Sequence, residues 1–125
     1  MQSEPSSIEI VLTYRFKRDL RQLAKRYRSI RSDLQPLINQ LQAGETPGKR
    51  IAGVKYEVFK VRLKNSNIQK GKSAGYRVIY YLKTEKNIIF VTIYSKSDLS
   101  DISDRTIEEA VSQYEQESQI EDNLD

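Results

Sequence analysis

YEVFKVRLKNSNIQKGKSAGYRVIYYLKTEKNIIFVTIYS, residues 56–95, reads as three β-strands in succession, and their pairing decides what the rest of the chain can build. YEVFKVRLK (56–64), GYRVIYYLK (75–83) and NIIFVTIYS (87–95) are rich in β-branched and aromatic residues. The loop NSNIQKGKSA and the tight turn TEKN separate them. If both connections are symmetric, antiparallel register follows directly: Arg62 faces Arg77, and Arg77 faces Tyr94, so the three form one row. Lys60 shares that face, opposite Ile79 and Thr92, while Lys64 and Lys96 flank Gly75. The other face carries Phe59, Val61, Leu63, Tyr76, Val78, Tyr80, Ile89, Val91 and Ile93, a core face ready for helices.

Like charges directly opposite in a sheet destabilise it, so the Arg62–Arg77 row requires a compensating anion. Glu57 is the one acid among these strands before Glu85, and it points to the other face. Internal neutralisation is therefore thin, and the row reads as a polyanion site. Lys70 and Lys72 of the long loop extend it, with Gly71 and Gly75 allowing close approach of backbone and ligand. The Gly-Lys-Ser triplet at 71–73 is no P-loop: Ser66 stands where the first glycine is required, and a strand follows instead of a helix.

Upstream, SIEIVLT (7–13) alternates as a short first strand. In TYRFKRDLRQLAKRY, Phe16, Leu20, Leu23 and Tyr27 recur at helical period. SDLQPLINQLQAG predicts a second helix capped by Ser32 or Asp33, with Pro36 in its first turn, Leu34, Leu37, Ile38 and Leu41 inward, and Gly44 at the C′ position. The outer face of the first helix carries Arg18, Arg21, Lys25 and Arg28, a solvated face or, more sharply, a contact for a ribosome or partner. ETPGKRIAG is a connection. A final helix with Ile107, Ala110, Val111 and Tyr114 on one side is expected over about 104–117, followed by a frayed end. The expectation is one domain over 1–125, ordered over about 8–115, with an acidic tail at 116–125.

The chain has no cysteine and no histidine, which removes thiolate or imidazole nucleophiles, zinc fingers and a histidine acid–base pair. No stretch approaches the roughly 20 apolar residues of a membrane span, and the N-terminus lacks a signal-peptide pattern. The net charge of +4 hides an asymmetry: residues 1–100 carry 20 Lys and Arg against 8 Asp and Glu, and residues 101–125 carry 1 against 9. A basic body attracts polyanions, nucleic acid first, although an acidic protein suits it equally.

FKVRLK, the loop lysines, GYRVIYYL and IYSKSDLSDIS together resemble the RelE/ParE superfamily of type II toxin–antitoxin toxins, nearest its HigB-like RelE branch. The resemblance spans roughly residues 8–115. It implies an α+β fold with a short N-terminal strand, a helix hairpin, a three-stranded antiparallel meander and a C-terminal helix. It also implies a cytoplasmic, metal- and cofactor-independent mRNA endoribonuclease, working with the ribosome to inhibit translation and silenced by an acidic antitoxin from the same operon.

By position, the resemblance assigns Lys60, Arg62 and Arg77 to catalysis, with Lys64 and Tyr94 alongside, and Lys70, Lys72, Lys96, Arg18 and Lys25 to RNA binding. Arginine forks suit phosphate and stay charged, and a lysine base needs cationic neighbours that lower its pKa. Ser97 and Ser103 stand where ribosome-dependent relatives carry an arginine and a tyrosine, leaving Tyr94 as the substitute for the latter. ParE-like relatives instead poison DNA gyrase without cleaving anything. That function, or an RNA- or partner-binding module without activity, is the alternative.

Overall fold

The computed structural model describes residues 7–68, 71 and 74–124. Along the chain these form β1 (Glu9–Leu12), α1 (Tyr14–Arg26), α2 (Ile30–Gln42), β2 (Lys49–Arg50), β3 (Val58–Leu63), β4 (Tyr76–Thr84), β5 (Asn87–Ser95) and α3 (Asp104–Leu124). The five strands make one sheet in the order β1-β5-β4-β3-β2. All its pairings are antiparallel except β1 with β5. This is the expected α+β architecture, with one addition. Lys49 and Arg50, read from sequence as part of a connection, pair with Lys60 and Phe59 and form a short edge strand.

The β3–β4 register is the one the alternation requires, with Arg62 opposite Arg77. Between β4 and β5 it holds for the half nearest the long loop, where Arg77 faces Tyr94 and Ile79 faces Thr92, and again at the turn, where Thr84 faces Asn87 after a second irregularity past Leu82. In between, Tyr80 pairs with Phe90, so Val91 is an extra residue, a bulge. A one-residue slip exchanges the faces of everything beyond it. Ile88 and Phe90 therefore point to the helix hairpin, whereas Ile89 and Val91, expected there from simple alternation, lie on the opposite face. Thr13 holds the bulge by sharing its hydroxyl proton between the carbonyls of Phe90 and Val91, at 3.0 and 3.1 Å. The same oxygen caps α1 by accepting from the Phe16 amide.

Two apolar layers result, one on each face of the sheet. The hairpin layer joins Phe16, Leu20 and Leu23 of α1 and Leu34, Leu37 and Leu41 of α2 to Val61, Leu63, Tyr76, Val78, Tyr80 and Ile93. The second layer joins Ile107 and Val111 of α3 to Val58, Ile79, Tyr81, Ile89, Val91 and Tyr94. So α3 covers part of the face that carries the basic row. Tyr56 bonds Ser112 (2.9 Å), and Tyr81 donates to Glu115 (2.8 Å), which also pairs with Lys83. The helix continues to Leu124, past the 117 expected, because residues 115–124 contain neither proline nor glycine to stop it.

Helix α2 also starts earlier than the sequence suggested. Its N-cap is Ser29, not Ser32 or Asp33, and Pro36 lies inside it. Ile30 explains the extra turn: it is fully buried and prolongs the stripe of Leu34, Leu37 and Leu41 by one period. Asp33 is used elsewhere, accepting from both the amide and the hydroxyl of Ser66 (3.0 and 3.1 Å), while Asn67 accepts from the Ser29 amide. These bonds pin the start of the long loop to the hairpin. At the other end of α2, Gly44 takes φ +90° and closes a Schellman turn, with bonds from Gly44 to Leu41 and from Glu45 to Gln40.

Candidate active site

Strands β3, β4 and β5 put Arg62, Arg77 and Tyr94 side by side, with Lys60 one step along β3. Gly75, just before β4, brings the chains together here: a Cβ on it would stand 2.0 Å from the Leu63 carbonyl oxygen. The tightness is thus between backbones. A Cβ added at Gly71 would meet no atom of the described residues within 4 Å.

Arg62 and Lys64 are exposed, and Lys60 is half-buried. Arg77 is only 5% exposed, and its Nη1 donates to the Tyr76 carbonyl (3.2 Å). Burial, and then the neighbouring Arg62, pull its pKa below the ordinary arginine value, although a guanidinium remains charged at neutral pH. Arg77 is thus a buried member of the row, unlike Arg62.

The compensating anion is Asp101, which the sequence reading missed. It belongs to the β5–α3 segment, and its Oδ1 accepts from Lys60 Nζ (2.9 Å), Tyr94 OH (3.4 Å) and the Ile102 amide (2.9 Å). Lys60 is the main cause that holds the Asp101 carboxyl below the usual carboxylate range. The Tyr94 phenol is pushed up to about 12, first by burial and then by Asp101, so it keeps its proton at neutral pH and acts as a donor. Asp101 could have been suspected only from the acidic character of SDLSD, because nothing local reveals that the segment folds back over β3.

Register adds a second residue. Lys49 of β2 lies opposite Lys60, on the same face, and carries the cationic row to the sheet edge. Lys96 is tethered through Nζ to the Ser100 carbonyl, within the segment that bears Asp101. Arg18 and Lys25 lie on α1 and supply nothing to the row. Arg18 pairs with Asp19 (3.3 Å) and lines a separate cleft of about 380 Å³ between α1 and α3. Lys70 and Lys72 fall outside the described residues. Ser97 bonds the Ser95 hydroxyl (2.9 Å), and Ser103 caps α3 by accepting from the Thr106 amide (3.1 Å).

Such an arrangement can hold a tetrahedral oxyanion between two guanidinium groups, with a lysine and a protonated phenol at its side. Among the described residues no cluster of carboxylates, thiols or imidazoles could hold a metal ion, and no helix is long and apolar enough to cross a membrane. A family model described as "RelE toxin of RelE / RelB toxin-antitoxin system" matches residues 16–123. No curated protein matches the chain.

Proposed function

Since the chain belongs to the RelE toxin family of toxin–antitoxin systems, we propose that it is an mRNA endoribonuclease of the HigB-like branch. In this reading it cleaves in the cytoplasm on the ribosome, inhibits translation and is neutralised by an acidic antitoxin from its own operon. The observation that carries the reading is the single row of Lys60, Arg62, Arg77 and Tyr94 across neighbouring strands.

The chemistry is a transesterification within the RNA. A 2′-oxygen bonds to the adjacent phosphorus, the bond from phosphorus to the 5′-oxygen breaks, and the products are a 2′,3′-cyclic phosphate and a 5′-hydroxyl. Arg62 and Arg77 grip the non-bridging oxygens and stabilise the charge that grows on them in the transition state. Lys64, in its unprotonated form, takes the 2′-proton, while Lys60 stays an ammonium beside the phosphate. Tyr94, protonated at neutral pH, gives its proton to the departing 5′-oxygen. Lys96, Lys70 and Lys72 contact flanking phosphates, and Arg18 and Lys25 contact the ribosome or the antitoxin. Asp101 must let go of Lys60 when phosphate arrives.

The test is induction in a bacterial host, with primer extension on several transcripts and a parallel gyrase supercoiling assay. Growth arrest with mapped cuts in translated regions is the expected outcome. Arrest with intact transcripts and inhibited gyrase would overturn the nuclease reading, and unimpeded growth at high soluble expression would overturn the toxin reading itself.

A further inference from the structure

Beside Tyr94 the sheet has an open edge. β1 accompanies β5 only as far as Phe90, and the Val91 carbonyl is taken by Thr13. Among the described residues no strand lies on that side from Ile93 to Ser95, and α1 runs past instead. Between them is a cleft of about 260 Å³. Asp19, Gln22, Leu23 and Arg26 reach it from a single face of α1, being spaced three, four and seven residues apart. Leu23 and Ile93, both buried, supply an apolar floor. Asp19 and Gln22 form a polar wall, and the Arg26–Asp98 ion pair stands at the rim. Tyr94 belongs both to this cleft and to the cationic row, directly opposite Arg77.

We propose that this cleft is a nucleobase pocket. It receives the base next to the phosphate held by Arg62 and Arg77, and it favours a base that carries an amino group. The placement of that base relative to the cut rests on the ribonuclease reading above. The pocket chemistry does not.

Three features converge on a base as the occupant. Directly opposite residues in an antiparallel pair lie about 5 Å apart, so a nucleotide whose phosphate meets Arg77 has its base within reach of Tyr94 and the cleft beyond. Single-stranded RNA is read by splaying bases onto apolar, aromatic or guanidinium surfaces and bonding their edges, and this cleft offers an apolar floor, an arginine and hydrogen-bonding walls. The preference follows from acceptor capacity. Two carboxylates, Asp19 and Asp98, line the cleft, Asp19 paired with Arg15 (3.8 Å) and Arg18 (3.3 Å) and Asp98 with Arg26. Asp19 already accepts from Thr92 (2.8 Å) and Arg18, and Asp98 from Arg26 through Oδ2. A carboxylate has about four acceptor positions, so each keeps capacity for another donor. Adenine, cytosine and guanine bring amino hydrogens to such a wall. Uracil lacks the amino group: its single N3–H donor sits between two carbonyl oxygens, which carboxylates repel.

The test uses the full chain and free nucleotides first. AMP, CMP, GMP and UMP are titrated while backbone amide signals are followed by NMR, and the expected result is saturable shifts at Gln22, Ile93 and Ser95 with the amino-bearing nucleotides, about tenfold tighter than with UMP. Gln22→Ala and Asp98→Asn, neither in the cleavage machinery, bring the four nucleotides to within about twofold of each other. An RNA abasic at the pocket position binds both variants as it binds the wild-type chain. Single-turnover cleavage of RNAs differing in that one base then gives the same ranking. Shifts confined to the Arg62–Arg77 row, or a ranking unmoved by both variants, overturn the pocket. Cleavage that ignores the base overturns it while the nuclease reading survives. Base-selective shifts without any cleavage do the reverse.

Discussion

Asp101→Asn isolates what the built-in anion does to the cationic row. Asparagine keeps the size of the side chain and can still accept from Tyr94 and the Ile102 amide, so the β5–α3 segment stays in place and only the charge on Lys60 is released. The ion pair is short, at 2.9 Å, but the two side chains are 34% and 64% exposed. Exposed pairs of this kind contribute about 0–1 kcal/mol. That is the amount an incoming phosphate has to overcome, so its removal should tighten RNA binding by up to about fivefold. The salt response is the sharper readout. One more cation free to neutralise a phosphate makes the slope of log affinity against log salt steeper by about 0.7 for a single strand. A labelled RNA with 2′-deoxyribose at the cleavage position prevents turnover, and fluorescence anisotropy at several salt concentrations gives both numbers. Unchanged affinity and slope would refute the idea that Asp101 occupies the phosphate position. Weaker binding would mean that Asp101 instead holds Lys60 in its productive place.

Arg62→Ala and Arg77→Ala should both abolish cleavage, yet separate in thermal melts. The exposed Arg62 changes stability by no more than about 0.5 kcal/mol, whereas the buried Arg77 leaves a void and costs about 1–3 kcal/mol. Equal melting points would show that Arg77 is not packed as described. Gly75→Ala drives a Cβ into the Leu63 carbonyl, so it should destabilise by about 1–3 kcal/mol; a wild-type urea midpoint would refute the close approach. Burial raises the phenols of Tyr76, Tyr80, Tyr81 and Tyr94 above the ordinary value of 10, Tyr94 to about 12. A group with a raised folded pKa contributes its stability fully below the unfolded pKa and loses it as pH climbs through the folded one. Stability should therefore be level through neutral pH and fall steeply from pH 10 towards 12. Urea midpoints over that range, with tyrosinate absorbance followed in parallel, test it, and a flat profile would count against the burial.

Much of the fold was legible in the sequence because its signals are local. The β3–β4 register follows from a single alternation on either side of a loop, and it put Arg62 opposite Arg77 correctly. The α1 stripe and the glycine that ends α2 are likewise readable from neighbouring residues. What escaped depends on distant contacts. No composition signal marks Val91 as a bulge; Thr13, far away in the chain, fixes it. With Ile89 and Val91 assigned to the wrong face, the final helix was legible but the second apolar layer it packs on was not. Asp101 escaped for the same reason, since a carboxylate forty-one residues from Lys60 becomes its neighbour only once α3 is seated.

The Val91 bulge makes β5 two segments set to different phases. From Asn87 to Phe90 the strand is locked to β1 and serves the hairpin layer; from Thr92 to Ser95 it serves the row. A residue gained or lost in the 84–87 turn is absorbed on the far side of the bulge, and Tyr94 continues to face Arg77. A residue lost at the bulge itself forces one segment to rotate by half a period, which sends either Phe90 out of the core or Tyr94 away from the arginines. The turn is thus free to change length, while the middle of the same strand is fixed in its count.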